Sequence, residues 1–121
     1  MSTGNGLLKD APYSFRSRFE DGEGTNPEEM IAAAHSGCFS MALTVALEKE
    51  GFAPTEVRTT ADISMEPVNG APTLVKSKLT TVVTVDGIDD DRFQAIAADA
   101  KANCPISRVL NLEIELDAKL A

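Results

Sequence analysis

The spacing of apolar and polar residues changes period along the chain, and each change predicts an element. Tyr13, Phe15 and Phe19 stand against Ser14, Arg16 and Arg18, an alternation that predicts a short strand. Asp21-Gly22-Glu23-Gly24 then reads as a turn or loop. Thr25-Asn26-Pro27-Glu28-Glu29 is a helix start. Asn26 can cap, Pro27 suits the first helical position, and two carboxylates face the positive end of the dipole. That helix is expected to run to Glu50 and stop at Gly51. From Met30 to Leu47 it carries eighteen uncharged residues, with apolar side chains on nearly every face. Such a helix is expected to be buried on nearly every face.

Alternation returns with Val57, Thr59, Ala61, Ile63 and Met65 against Glu56, Arg58, Thr60, Asp62 and Ser64. Asn69-Gly70 is a hairpin signal, with Pro67 and Pro72 positioned to lengthen the loop. A second strand places Val75, Leu79, Val83 and Val85 on one face. Asp89 can cap an amphipathic helix whose stripe is Phe93, Ile96, Ala97 and Ala100. Asn103-Cys104-Pro105 breaks it and starts a short helix through Val109; Leu112, Ile114, Leu116, Ala118 and Leu120 alternate as a last strand. The order strand, long helix, two strands, two helical segments, strand predicts a single domain over 1–121 of the α+β class, with a mostly antiparallel sheet.

Composition narrows what such a domain can do. The 121 residues carry 19 acidic and 11 basic side chains, a formal net charge of −8, which repels phosphate backbones and anionic lipid. No nucleic-acid or membrane partner is therefore expected. The eighteen-residue uncharged run is nominally near membrane-spanning length, but His35, Ser36, Gly37, Ser40 and Thr44 lower its hydrophobicity, and a core helix is the expectation. Gly4-Asn5-Gly6 and Lys9-Asp10 interrupt any signal-peptide pattern at the start, and two cysteines are too few for a secreted disulfide scaffold. A reducing cytoplasm is the expected compartment.

The candidate chemistry rests on few residues. Cys38 lies mid-helix among Ser36, Gly37 and Ser40. It reads either as a small core residue or as a thiol with room for a neighbour, and in the second case it needs a nearby cation to become reactive. Cys104, 66 residues later, reads as a core or cap residue, and only the fold decides whether the two sulfurs meet. Glu28 and Glu29 are good helix design whatever the function, Arg16 and Arg18 can be solvated strand positions, and His35 reads as a satisfied core histidine. Metal-ligand spacings and a glycine-rich phosphate loop are lacking, so no metal or cofactor is expected.

Two stretches together resemble the OsmC/Ohr family, the osmotically inducible protein C and organic hydroperoxide resistance proteins. The first is Arg18-Phe19-Glu20-Asp21-Gly22-Glu23-Gly24-Thr25-Asn26-Pro27-Glu28-Glu29, continuing through Ala33-Ala34-His35-Ser36-Gly37-Cys38-Phe39-Ser40-Met41-Ala42-Leu43. The second is Ala102-Asn103-Cys104-Pro105-Ile106-Ser107-Arg108-Val109-Leu110. Arg-Phe-Glu ahead of Thr-Asn-Pro-Glu-Glu, and Ala-Ala-His ahead of the cysteine, are closer to the OsmC branch. The resemblance implies an OsmC-like fold with a long buried central helix in an intertwined homodimer, and an initial family strand, ahead of the position of Met1, that this chain lacks. It implies a thiol-dependent peroxidase of oxidative and osmotic stress defence that reduces organic hydroperoxides, and hydrogen peroxide more weakly. Cys38 matches the peroxidatic cysteine, Cys104 the resolving cysteine that closes a disulfide with it, Glu28 the catalytic glutamate, and Arg18 the arginine that accompanies the thiolate, with Arg16 two residues away as the other choice. An external dithiol, small or lipoyl-type, would reset the pair, with no metal or flavin. Phe39, Met41 and an aromatic near Tyr13 are expected to favour alkyl substrates. The competing reading is a non-catalytic dimeric domain of the same fold with unreactive thiols.

Overall fold

The structure is a computed structural model that describes residues 1–19 and 24–121. Its contacts gather into two units, Met1–Ile31 and Ala32–Ala121. The turn expected at Asp21, Gly22 and Glu23 falls outside the described residues.

In the first unit, Met1 and Ala11 close a loop by exchanging two hydrogen bonds of 2.8 Å. Where a strand was expected after Tyr13, the chain forms a short helix, α1 (Phe15–Phe19). The reason is a pair of serines one turn apart. The Ser17 N–H donates to Ser14 Oγ at 3.1 Å and the Ser14 N–H donates to Ser17 Oγ at 3.0 Å, a reciprocal cap that favours the helical turn over the strand. Tyr13 keeps only an isolated bridge to Thr25. That bridge needs a glycine beside it: Gly24 has φ +97°, and a Cβ there would stand 2.1 Å from the Pro12 carbonyl oxygen.

The long helix α2 (Pro27–Lys49) begins as expected. Asn26 Oδ1 accepts the Glu29 N–H at 2.9 Å, while its amide nitrogen donates to the Ser17 carbonyl at 2.8 Å, so one side chain caps α2 and ties α1 to its start. The helix ends at Gly51, φ +90°, with the Phe52 N–H returning to the Leu47 carbonyl at 3.0 Å.

The second unit carries one three-stranded sheet among the described residues, in the order β1 (Glu56–Val68), β2 (Ala71–Thr84), β3 (Glu113–Leu120). β1 and β2 pair antiparallel through a two-residue turn, Asn69 at φ 51° and Gly70 at φ 79°. Both central residues take the left-handed conformation that the right-handed strand twist requires of a tight hairpin. Pro67 and Pro72 face each other in the ladder rather than lengthening the loop. The second ladder, β2 with β3, is parallel. A parallel return needs a crossover, and α3 (Asp90–Asn103) and α4 (Pro105–Val109) supply it. Asp89 caps α3 by accepting the Arg92 N–H at 2.8 Å, and Phe93, Ile96, Ala97 and Ala100 are its buried stripe, as read from their spacing.

Helix α2 buries a single stripe of this unit: Ala32, His35, Phe39, Leu43 and Leu47. Phe39, Leu43 and Leu47 join Leu79, Val83 and Phe93 in the core, and a polar bridge runs beside them from Ser40 through Thr59 to Thr81 at 2.8 Å per step. The opposite face is open in the single chain, with Met41 72% and Val45 49% exposed. Burial on nearly every face therefore does not hold for one chain alone.

Candidate functional site

The fold brings Cys38 and Cys104 together. Cys38 is half-buried on α2, Cys104 is fully buried at the junction of α3 and α4, and neither is in a disulfide. The two thiols lie near enough to act on each other's ionisation, and the Ile106 main chain stands beside Cys38. Burial pushes the Cys38 thiol above its ordinary value, the Ile106 hydrogen bond opposes this, and the neighbouring Cys104 adds to the rise. Among the described residues no cation acts on Cys38, and its surroundings favour the thiol over the thiolate.

The break that exposes Cys104 to Cys38 follows from Cys104-Pro105. Proline cannot continue α3 but suits the first position of α4, so the chain turns there and Cys104 becomes the cap of the new helix. Its Sγ accepts the Ser107 N–H at 3.3 Å and lies 3.1 Å from Ser107 Oγ.

Around this pair the sequence reading missed a buried polar chain. His35 has no exposed surface; its Nδ1 lies 2.7 Å from Ser77 Oγ on β2 and its Nε2 2.8 Å from Ser107 Oγ on α4. His35 is thus a satisfied core histidine, as expected, but its second partner touches Cys104. His35 precedes Cys38 by three residues on α2, and Cys104 precedes Ser107 by three across the start of α4, so each pair shares one helix face. Burial pushes His35 below the ordinary imidazole value and keeps it neutral. Among the described residues, every buried polar side chain has a partner. Ser77 and Ser107 carried no spacing signal toward His35, 42 and 72 residues away. The nearest hint was the Cys-Pro-Ile-Ser pattern, which reads as a helix cap with a polar residue at its third position.

Of the remaining candidates, Arg18 and Glu28 meet within the first unit. Arg18 Nε lies 3.1 Å from each carboxylate oxygen of Glu28, in a partly buried ion pair. Phe39 is fully buried in the core and leaves no surface of this chain open to an alkyl group, unlike the place expected for it. Among the described residues no three His, Cys, Asp or Glu side chains converge as a metal would require. A groove of about 540 Å³ opens between α2 and α3, walled by Ala46, Glu50, Asp91, Arg92, Ile96 and Asp99. It touches neither cysteine, and Arg92 is already bonded to Glu50.

Comparison with known proteins bears on the fold and the family. The sequence model described as OsmC-like protein matches residues 20–119. The chain is 49% identical over 120 residues to peroxiredoxin OsmC of Escherichia coli strain K12, covering 99% of this chain and 84% of that protein. Among solved structures, the organic hydroperoxide resistance protein OsmC of Legionella pneumophila superposes with a TM-score of 0.73 at 22% identity, covering 99% of this chain and 86% of that one. The organic hydroperoxide resistance protein OhrB of Bacillus subtilis gives 0.73 at 20% identity, covering 99% and 87%.

Proposed function

Since the chain belongs to the OsmC-like family, we propose that it is, as one OsmC-like domain, a cysteine-based peroxidase that reduces organic hydroperoxides in stress defence. The observation that carries the reading is the contact of two free thiols 66 residues apart, in a chain 49% identical to a peroxiredoxin. The Cys38 thiolate attacks the outer peroxide oxygen, the O–O bond breaks, and the alkoxide leaves to be protonated to the alcohol. Cys38 is left as a sulfenic acid. Cys104 attacks that sulfur, forming the disulfide and releasing water. An external dithiol, small or lipoyl-type, then reduces that disulfide through a mixed disulfide, leaving both cysteines as thiols and itself as a disulfide. A guanidinium near a thiol favours the thiolate, and the family resemblance gives that role to Arg18 gripped by Glu28.

The test is Cys104→Ser. With a dithiol and an alkyl hydroperoxide, the unaltered protein should turn over repeatedly and, oxidised alone, show the two-dalton mass loss of one disulfide. Cys104→Ser should stop after one turnover and then gain oxygen on Cys38 as sulfinic acid. A second reading, an unreactive domain of the same fold, draws on the burial that raises the Cys38 thiol. Titration separates the two: a Cys38 pKa at or above about 8.5 with no oxygen gain supports the unreactive domain.

A homodimer in the cytoplasm belongs to the same proposal. By length and composition α2 could cross a membrane, but its buried stripe packs into the protein core. The open stripe of Ala33, Gly37, Met41 and Val45 suits a second copy, because small residues at helical spacing let another helix approach closely. Met41→Glu should shift light scattering from dimer toward monomer; an unchanged mass would place the interface elsewhere.

A further inference from the structure

We propose that His35, acting through the Ser107 hydroxyl, accepts the proton of Cys104 and so drives closure of the Cys38–Cys104 disulfide. The inference rests on the peroxidase reading above and goes beyond it. Three contacts in series carry it: Cys104 Sγ to Ser107 Oγ at 3.1 Å, Ser107 Oγ to His35 Nε2 at 2.8 Å, and His35 Nδ1 to Ser77 Oγ at 2.7 Å. Only one direction of donation gives the relay. With the imidazole proton on Nδ1 and donated to Ser77, Nε2 accepts from the Ser107 hydroxyl, whose oxygen accepts from the Cys104 thiol. In that arrangement Ser77 accepts the Nδ1 proton and leaves Nε2 as the base.

A buried resolving thiol has a specific difficulty. Its sulfur must attack as a thiolate, yet Cys104 and Ser107 are both buried, so water has poor access to carry the proton off. The relay removes it within the core. As the Cys104 Sγ–Cys38 Sγ bond forms and the Cys38 S–O bond breaks, the thiol proton moves to Ser107 Oγ and the serine proton to His35 Nε2. Hydroxide leaves with the S–O electron pair and takes a proton from solvent to become water. The imidazolium later releases its proton to solvent, replacing the one the hydroxide took, so the step is proton-neutral overall: a sulfenic acid and a thiol give a disulfide and water. His35 is neutral before the step, as an acceptor must be.

The titratable groups of this cluster are His35, Cys104 and Cys38. Charged neighbours on the packed elements are otherwise engaged or face outward: Lys76 of β2 pairs with Glu115, while Lys78 of β2 and Arg108 of α4 are exposed. On α2, Glu28 is held by Arg18, and Glu29, Glu48 and Lys49 are exposed.

The experiment is single-turnover oxidation of the reduced protein by one equivalent of alkyl hydroperoxide, quenched with a sulfenic-acid trap and read by intact mass from pH 6 to about 9.5. His35→Gln keeps hydrogen bonding to both serines but takes up no proton. It should form the sulfenic acid at the unaltered rate and close the disulfide about 10²-fold more slowly at pH 7. The deficit should shrink as pH rises, because hydroxide increasingly takes the thiol proton in place of the relay. Ser107→Ala, which cuts the relay without touching the imidazole, should show the same pattern and decides the matter if His35→Gln does not fold. Closure as fast as in the unaltered protein in either folded variant overturns the relay, and so does slowing by one constant factor at every pH. If the unaltered protein gives neither sulfenic acid nor disulfide, the peroxidase reading is overturned and the relay with it.

Discussion

Replacing Cys38 by serine is expected to lower dithiol-supported reduction of an alkyl hydroperoxide by at least about 10³-fold, to the level of the thiol reductant alone. Sulfur attacks peroxide oxygen as the thiolate, and a serine hydroxyl does not ionise at neutral pH. The change is small in volume at a half-buried site, so circular dichroism should match the unaltered protein. Cys104→Ser, by contrast, should preserve the first half-reaction. Full turnover by Cys38→Ser would assign the attack to Cys104, whose sulfur is fully buried, and would sink the mechanism. The thiol titration and this substitution address different links: one asks whether Cys38 ionises, the other whether its sulfur is needed at all.

The largest loss of stability is expected from Phe39→Ala. Phe39 has no exposed surface and lies where α2 meets the core shared by Leu79 of β2 and Phe93 of α3. Truncating a buried phenylalanine leaves a cavity and typically costs about 3–5 kcal/mol, against a total of roughly 5–15 kcal/mol. The corresponding drop in Tm is roughly 10–20 °C for a domain of this size. Urea titrations at fixed protein concentration should show the midpoint fall with little change in slope, since the same surface is exposed on unfolding. A cost below about 1 kcal/mol would mean that α2 does not seat this ring. Because Phe39 follows Cys38 directly, the same variant should also loosen the Cys38–Cys104 contact.

Elements whose local chemistry and tertiary surroundings agree could be read from the residues. Asn26-Pro27, Gly51, Asn69-Gly70 and Asp89 each set a backbone conformation through their own side chain or lack of one, and the structure ends or begins an element at each. The stripe of α3 was legible because 3.6-residue spacing and one-sided burial coincide. α1 was misread because two serines one turn apart outweigh a brief aromatic alternation. On α2, alanine and small residues on every side hid which face is inward.

The sequence by itself determined where α2, the hairpin and α3 start and stop, and the cysteine and glutamate motifs that mark the family. These are local or linear properties, carried by capping, turn chemistry and hydrophobic period. Tertiary structure alone decided that Cys38 lies beside Cys104, that Arg18 meets Glu28, and that β3 runs parallel to β2. It also joined His35 to serines 42 and 72 residues away. Such contacts leave no trace in spacing, because the crossover through α3 and α4 sets them and the packing of α2 against β2 holds them.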